Sequence, residues 1–144
     1  MKMGKTINLL LLVIVFCLSG CNKSPDYLIE EVNIQEINKD AQTFVKNIQD
    51  STGLFLFSPV NKDQYLIVKY SSVLQGEEAK FLNSISSEIA DRKLIINIEE
   101  LGTNNYDDNR LRGIRIFKIG RIKEFDKIQI FKNGEERKID SVGG

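Results

Sequence analysis

Two apolar runs, residues 54–57 (Leu-Phe-Leu-Phe) and residues 65–70 (Tyr-Leu-Ile-Val-Lys-Tyr), constrain this chain more than any other feature. Aromatic and β-branched residues fill them, the types that suit a pleated, buried surface. The stretch between them, Pro59-Val60-Asn61-Lys62-Asp63, is turn sequence. Together they read as a hairpin whose loop is longer than the tight two-residue kind. A strand with one wet face alternates apolar and polar residues. These runs do not alternate, so both faces need cover and the pair belongs in the middle of its sheet. One cover stands just upstream. Ala41, Phe44, Val45 and Ile48 fall at i, i+3, i+4 and i+7, a single apolar stripe on a helix over residues 38–50. Asn38 or Asp40 suits its N-cap, and Gly53 fits just past its end. The stripe is read as packing against the sheet.

Strand signals continue on both sides. Val32 and Ile34 alternate within residues 27–37, and residues 94–98 (Leu-Ile-Ile-Asn-Ile) form a strand entered through an Asp91-Arg92 turn. Phe81, Ile85 and Ile89 fit either a helix face or a strand parity. The Ser-rich, β-branched sequence disfavours helix, so residues 85–90 are read as strand. Residues 113–119 form another strand, with Ile114 and Ile116 on one face and Arg115 and Phe117 on the other. Asn133-Gly134 is the favoured type I′ pair, because both central residues need φ > 0. That turn sets Lys132 against Glu135 and Ile128 opposite Ile139. The expected fold is α+β: about six or seven short strands, mostly antiparallel, in a sheet or sandwich with one N-terminal amphipathic helix.

Composition removes whole classes of chemistry. There is no His and no Trp, and only two Cys. Zinc sites of the Cys/His kind and Ser-His-Asp or Cys-His catalysis lack their residues. Lys plus Arg equals Asp plus Glu, 20 each, so no global field draws the chain to nucleic acid or to anionic lipid. Lys, Ile and Asn are abundant, a composition that fits an AT-rich, Gram-positive source. No cofactor and no resident metal are expected.

The N-terminus has the three parts of an export signal. Lys2 and Lys5 give a positive n-region; residues 7–18 are apolar apart from Asn8, too short for a stable span of roughly 20 residues. Leu18-Ser19-Gly20-Cys21 then resembles the lipobox of bacterial lipoprotein precursors: an aliphatic residue, two small ones and a cysteine. The resemblance implies cleavage between Gly20 and Cys21, a diacylglyceryl group on the Cys21 thiol, and acyl chains of the palmitate kind in the outer face of the cytoplasmic membrane. Residues 1–20 would then be a removed signal, residues 21–26 a lipidated tether, and residues 27–144 one extracytoplasmic domain. With Cys17 removed and Cys21 blocked, that domain has no disulfide, so packing alone must stabilise it. Two chains anchor stably where one does not. The polar tether (Asn22, Lys23, Ser24, Pro25, Asp26) spans at most about 20 Å, at roughly 3.3 Å per residue.

Three stretches invite a chemical reading. Residues 103–109 (Thr-Asn-Asn-Tyr-Asp-Asp-Asn) are dense in oxygen ligands but lack EF-hand spacing; Asn and Asp equally make solvated turns. Arg110, Arg112, Arg115, Lys118, Arg121, Lys123 and Lys127 form a basic run offset by Glu124 and Asp126. Strand parity separates Arg112 and Lys118 from Arg115 and Arg121. Arg112, Arg115, Lys118 and Arg121 are the candidate surface for an anionic ligand or a partner, at about 1 kcal/mol per cation near anionic lipid. The competing reading is edge protection against aggregation. Glu77-Glu78 and Glu99-Glu100 are read as solvated strand ends rather than a glycosidase pair, and Ser71-Ser72 near Lys69 do not make a Ser-Lys motif.

The functional expectation is therefore a membrane-tethered, non-enzymatic binding or accessory domain for an envelope protein or anionic envelope polymer. Its partners would include the membrane, through Cys21, and no nucleic acid. A lipid-anchored immunity or inhibitor protein, acting against a toxin or protease, is the second reading, and a small carboxylate-based hydrolase the third.

Overall fold

The computed structural model describes residues 28–121 and 125–144. The signal 1–20 with Gly20, the lipid site Cys21, the tether 21–26, Tyr27 and Lys123 lie outside the described residues.

Among the described residues the order is β1 (Ile29–Val32), α1 (Lys39–Asn47), β2 (Gly53–Phe57), β3 (Gln64–Lys69), β4 (Ala79–Ala90), β5 (Lys93–Thr103), β6 (Ile114–Ile119), β7 (Lys127–Lys132), β8 (Glu135–Arg137) and β9 (Ser141–Gly143). A five-stranded sheet runs β1-β6-β3-β2-β9 and a four-stranded sheet runs β4-β5-β7-β8. The central hairpin is present as read, with Leu54 opposite Val68 and Phe57 opposite Tyr65. Its two-sided apolarity has a direct cause. Leu54, Leu56, Leu66 and Val68 face the second sheet, meeting Leu82, Leu94, Ile96, Ile98 and Ile130. Phe55, Phe57, Tyr65 and Ile67 face α1, meeting Ala41, Val45 and Ile48. The layers are thus helix, sheet, sheet. Asn38 caps the helix by accepting the Ala41 N–H at 2.9 Å, the pairing that N-cap asparagine makes with an otherwise orphan donor.

The strand count and the register of the last hairpin change, and the other readings are refined. The described strands number nine rather than six or seven, and β1, within the strand-like stretch 27–37, precedes the helix. Residues 79–90 form one long strand, β4, so the helical alternative for Phe81 onward falls away. Both sheets are mixed: β2–β9 and β5–β7 are parallel, and the remaining pairings are antiparallel. The Asn133-Gly134 turn sets Lys132 against Glu135 as read, yet the ladder stops at Ile130↔Arg137. Ile139 packs on the core without pairing to Ile128. There the chain leaves the second sheet, because Asp140 bonds Leu54 in both directions: its N–H donates to the Leu54 carbonyl at 2.8 Å, and its Oδ2 accepts the Leu54 N–H at 2.7 Å. This crossing delivers β9 to the edge of β2 and ties the two sheets together.

Candidate functional site

Three inward-facing apolar series converge at the same end of the sandwich, and each gives way there to a polar residue. In β3 the series Leu66, Val68 runs on to Tyr70; in β5 the series Leu94, Ile96, Ile98 runs on to Glu100; in β7 Ile128 and Ile130 precede Lys132. Alternation along a strand forces this convergence. Glu100 and Lys132 pair at 3.0 Å with side chains only 16% and 28% exposed. Asn133 holds the Glu100 backbone from both sides, its Oδ1 accepting the Glu100 N–H and its Nδ2 donating to the Glu100 carbonyl.

Around them lie two adjoining clefts that share Tyr70, Ser71, Val73 and Lys80. One, of about 270 Å³, is completed by Tyr106, Leu111 and Arg112. The other, of about 180 Å³, is completed by Leu54, Glu100 and Lys132. Each is below the roughly 300–1,000 Å³ of small-molecule sites, a size that suits a side chain or short segment of a larger ligand. The Tyr70 hydroxyl is buried here beside Glu100, without a hydrogen bond of normal geometry. Burial first, and the neighbouring Glu100 charge second, push the phenol above its ordinary value. Tyr70 therefore stays neutral through the physiological range, a hydrogen-bonding group in an apolar wall. An unsatisfied buried hydroxyl costs about 1–3 kcal/mol, so Tyr70→Phe is expected to leave stability unchanged or to raise it by about 1 kcal/mol. Chemical denaturation of the two proteins checks this; a clear loss of stability would show that the hydroxyl serves the fold.

The four candidate cations sort differently from their strand parity. Arg112 lies before β6 and Arg121 after it, so both escape the alternation assumed for them. The groups divide by strand end. Arg112 and Arg115 share Glu31 of β1: the Arg115 guanidinium grips both carboxylate oxygens, its NH2 nitrogen at 2.7 Å, and Arg112 stands at 3.8 Å. Arg115 is 17% exposed, sits over the Phe117 ring at 5.6 Å and donates to the Leu82 carbonyl of β4 at 3.4 Å. At the other end Lys118 and Arg121 share Asp63, at 3.0 and 2.8 Å. Burial would raise the Asp63 carboxyl, but the hydrogen bonds and charges of Lys118 and Arg121 outweigh it and hold it below its ordinary value. Arg110 lies on the Phe81 ring at 4.3 Å and pairs with Asp108, which its hydrogen bonds lower to about 2.

The polar loop folds on itself as Asx-type turns do: Asn105 accepts the Asp107 N–H, and Thr103 accepts the Asn105 N–H. Among the described residues, no group of three or more His, Cys, Asp or Glu side chains is placed to hold a metal. Glu99 bonds Asn83 and Ser84 on the outer face of β5, while Glu100 turns inward. Reading Glu99-Glu100 as two solvated acids therefore missed Glu100. Its signal was a carboxylate standing on the buried parity of Leu94, Ile96 and Ile98.

Compared with protein-family models, curated proteins and solved structures, the chain matches none.

Proposed function

We propose that this chain is a bacterial lipoprotein, tethered through Cys21 to the outer face of the cytoplasmic membrane, whose domain is a non-catalytic binding module for an envelope protein. The lipobox-like Leu18-Ser19-Gly20-Cys21 supports the location. The observation that carries the binding reading is the placement of the chain's approach to the domain. β1 begins with Ile29 opposite Ile119, which in turn pairs Gln64 at the start of β3. The first described strand thus begins at the Asp63–Arg121 end. The Tyr70–Glu100–Lys132 clefts open at the opposite end, where β3 finishes.

Charge pairing favours protein over an anionic polymer. Arg112, Arg115, Lys118 and Arg121 already have carboxylate neighbours, and a polyanion would have to displace them. A protein surface with both signs can match the pattern instead. Anchoring also lets modest contacts suffice, by raising effective concentration at the membrane.

Two linked experiments test the reading. Cys21→Ser should yield a longer precursor or a protein released by mild washing, where the parent needs detergent. Crosslinking in cells followed by mass spectrometry should recover one stoichiometric protein from the parent, with recovery lost in Arg112→Glu, a substitution at a 65% exposed side chain lining the larger cleft. A Cys21→Ser protein of unchanged mass and extraction would refute the anchor. Capture unaffected by Arg112→Glu would refute the docking end.

A further inference from the structure

We infer that the free edge of β4, over residues 84–90, pairs antiparallel with the same edge of a second copy of this chain, about a two-fold axis at Ser87. β4 ends its sheet, with β5 on one side and no described strand on the other. An unpaired strand edge is a template for further pairing, and proteins blunt such edges with charges, bulges, proline or short length. The other edges follow that rule among the described residues. β1 presents Glu30 and Glu31, β8 is the three residues Glu-Glu-Arg, and β9 has three residues. The first half of β4 follows it too, with a bulge between Leu82 and Ser84 and the Arg115 guanidinium on the Leu82 carbonyl. The second half, Ser-Ile-Ser-Ser-Glu-Ile-Ala, has no bulge, no proline and one charge, Glu88.

The register follows from the direction of the backbone groups. The Ile98 carbonyl accepts from Asn133, and the Glu100 N–H donates to the Asn133 side chain. Even-numbered residues of β5 therefore point their backbone groups to the β7 side and odd-numbered ones to β4. In an antiparallel pair such groups belong to directly opposed residues, so Ser84, Ser86, Glu88 and Ala90, opposite Glu99, Asn97, Ile95 and Lys93, are engaged. Ile85, Ser87 and Ile89 aim theirs outward.

An axis at Ser87 sets Ser87 against its copy and Ile85 against Ile89 of the copy, twice. All three outward-pointing residues then meet outward-pointing partners, for about six backbone hydrogen bonds. Ile85 and Ile89 are half-buried and already pack against the core between the sheets; the pairing would extend that core across the axis. On the other face Ser86 meets Glu88 of the copy, hydroxyl to carboxylate. An axis one residue later would set Glu88 against Glu88, a like-charge pair that destabilises. An axis one residue earlier would set Ile89 against the bulge at Asn83.

Disulfide trapping in the full chain tests this, with the unsubstituted chain as control for Cys17 and Cys21. Opposed residues in a hydrogen-bonded antiparallel pair have Cα atoms about 5.5 Å apart, inside the range a disulfide spans. Ser87→Cys is expected to give a disulfide-linked homodimer as the major species under mild oxidation, well above control. Ser84→Cys is expected to match control, because its two copies would lie roughly 20 Å apart, six residues at about 3.3 Å. Homodimer from Ser87→Cys alone supports the inference. No dimer above control, equal dimer from Ser84→Cys, or a disulfide from Ser87→Cys to a different protein would overturn it.

Discussion

Phe117→Ala is expected to destabilise the domain by about 3–5 kcal/mol, the usual cost of deleting a buried phenyl ring. Phe117 is 1% exposed and stands on β6 with Leu66 of β3 on one flank and Glu31 of β1 on the other. It projects into the layer between the sheets, among Leu82, Leu94 and Ile96, and supports the Arg115 guanidinium from below. Alanine would leave a cavity in that layer and a half-buried cation without its ring. Domains of this size have about 5–15 kcal/mol of total stability, so the loss is a large fraction. Denaturant unfolding should show a lower midpoint with an unchanged slope, the mark of altered stability rather than altered compactness. Val142→Ala, at 62% exposure, should stay within about 0.5 kcal/mol. A Phe117→Ala loss below about 1 kcal/mol would contradict the packing of the two sheets through this ring.

Gly53→Ala is expected to cost about 2–6 kcal/mol, through two mechanisms. Gly53 has φ +140, where an L side chain strains the backbone by about 1–3 kcal/mol. Its added methyl would also strike the Asp140 carboxylate, the group that accepts the Leu54 N–H. Displacing that carboxylate leaves a half-buried donor unpaired, at about 1–3 kcal/mol. The effect should therefore spread beyond β2: hydrogen exchange should rise at Leu54 and along β9, which the Asp140 crossing holds in place. Asp140→Ala in the Gly53→Ala background separates the mechanisms. If the clash matters, the double variant loses less than the sum of the singles, as coupled neighbours do; strict additivity would refute the contact.

How far the sequence revealed this fold depended on what each segment buries. The 54–70 hairpin and the helix with Asn38 at its cap were legible because burial on two faces, or on one stripe, leaves a pattern in residue type. The Asn133-Gly134 turn was legible because its dihedrals restrict the residues that fit, and both turn residues do adopt positive φ. β9 left no such trace. Its residues, Ser-Val-Gly, are held by backbone bonds to a neighbour, and a backbone bond carries no side-chain signature. The parallel pairing of β5 with β7 was hidden likewise, since periodicity marks a face and says nothing of a partner's direction. Of the candidate site, the basic residues were visible as composition, but Glu31 and Asp63, which divide them between the ends of β6, are remote in sequence. Glu100 needed only a stricter reading of parity.

The strand order also sets a timetable for folding. β4 and β5 meet through the two-residue Asp91-Arg92 turn and can form early, since closing a short loop costs little entropy. The helix-covered sheet is different. β1 reaches β6 across 84 residues at the Glu31–Arg115 contact, and the Asp140–Leu54 crossing spans 86. Non-local pairing of this kind places a domain among the slower two-state folders, in the millisecond-to-second range. The first and last described strands thus close the longest loops of the fold, and are expected to engage after the centre has assembled.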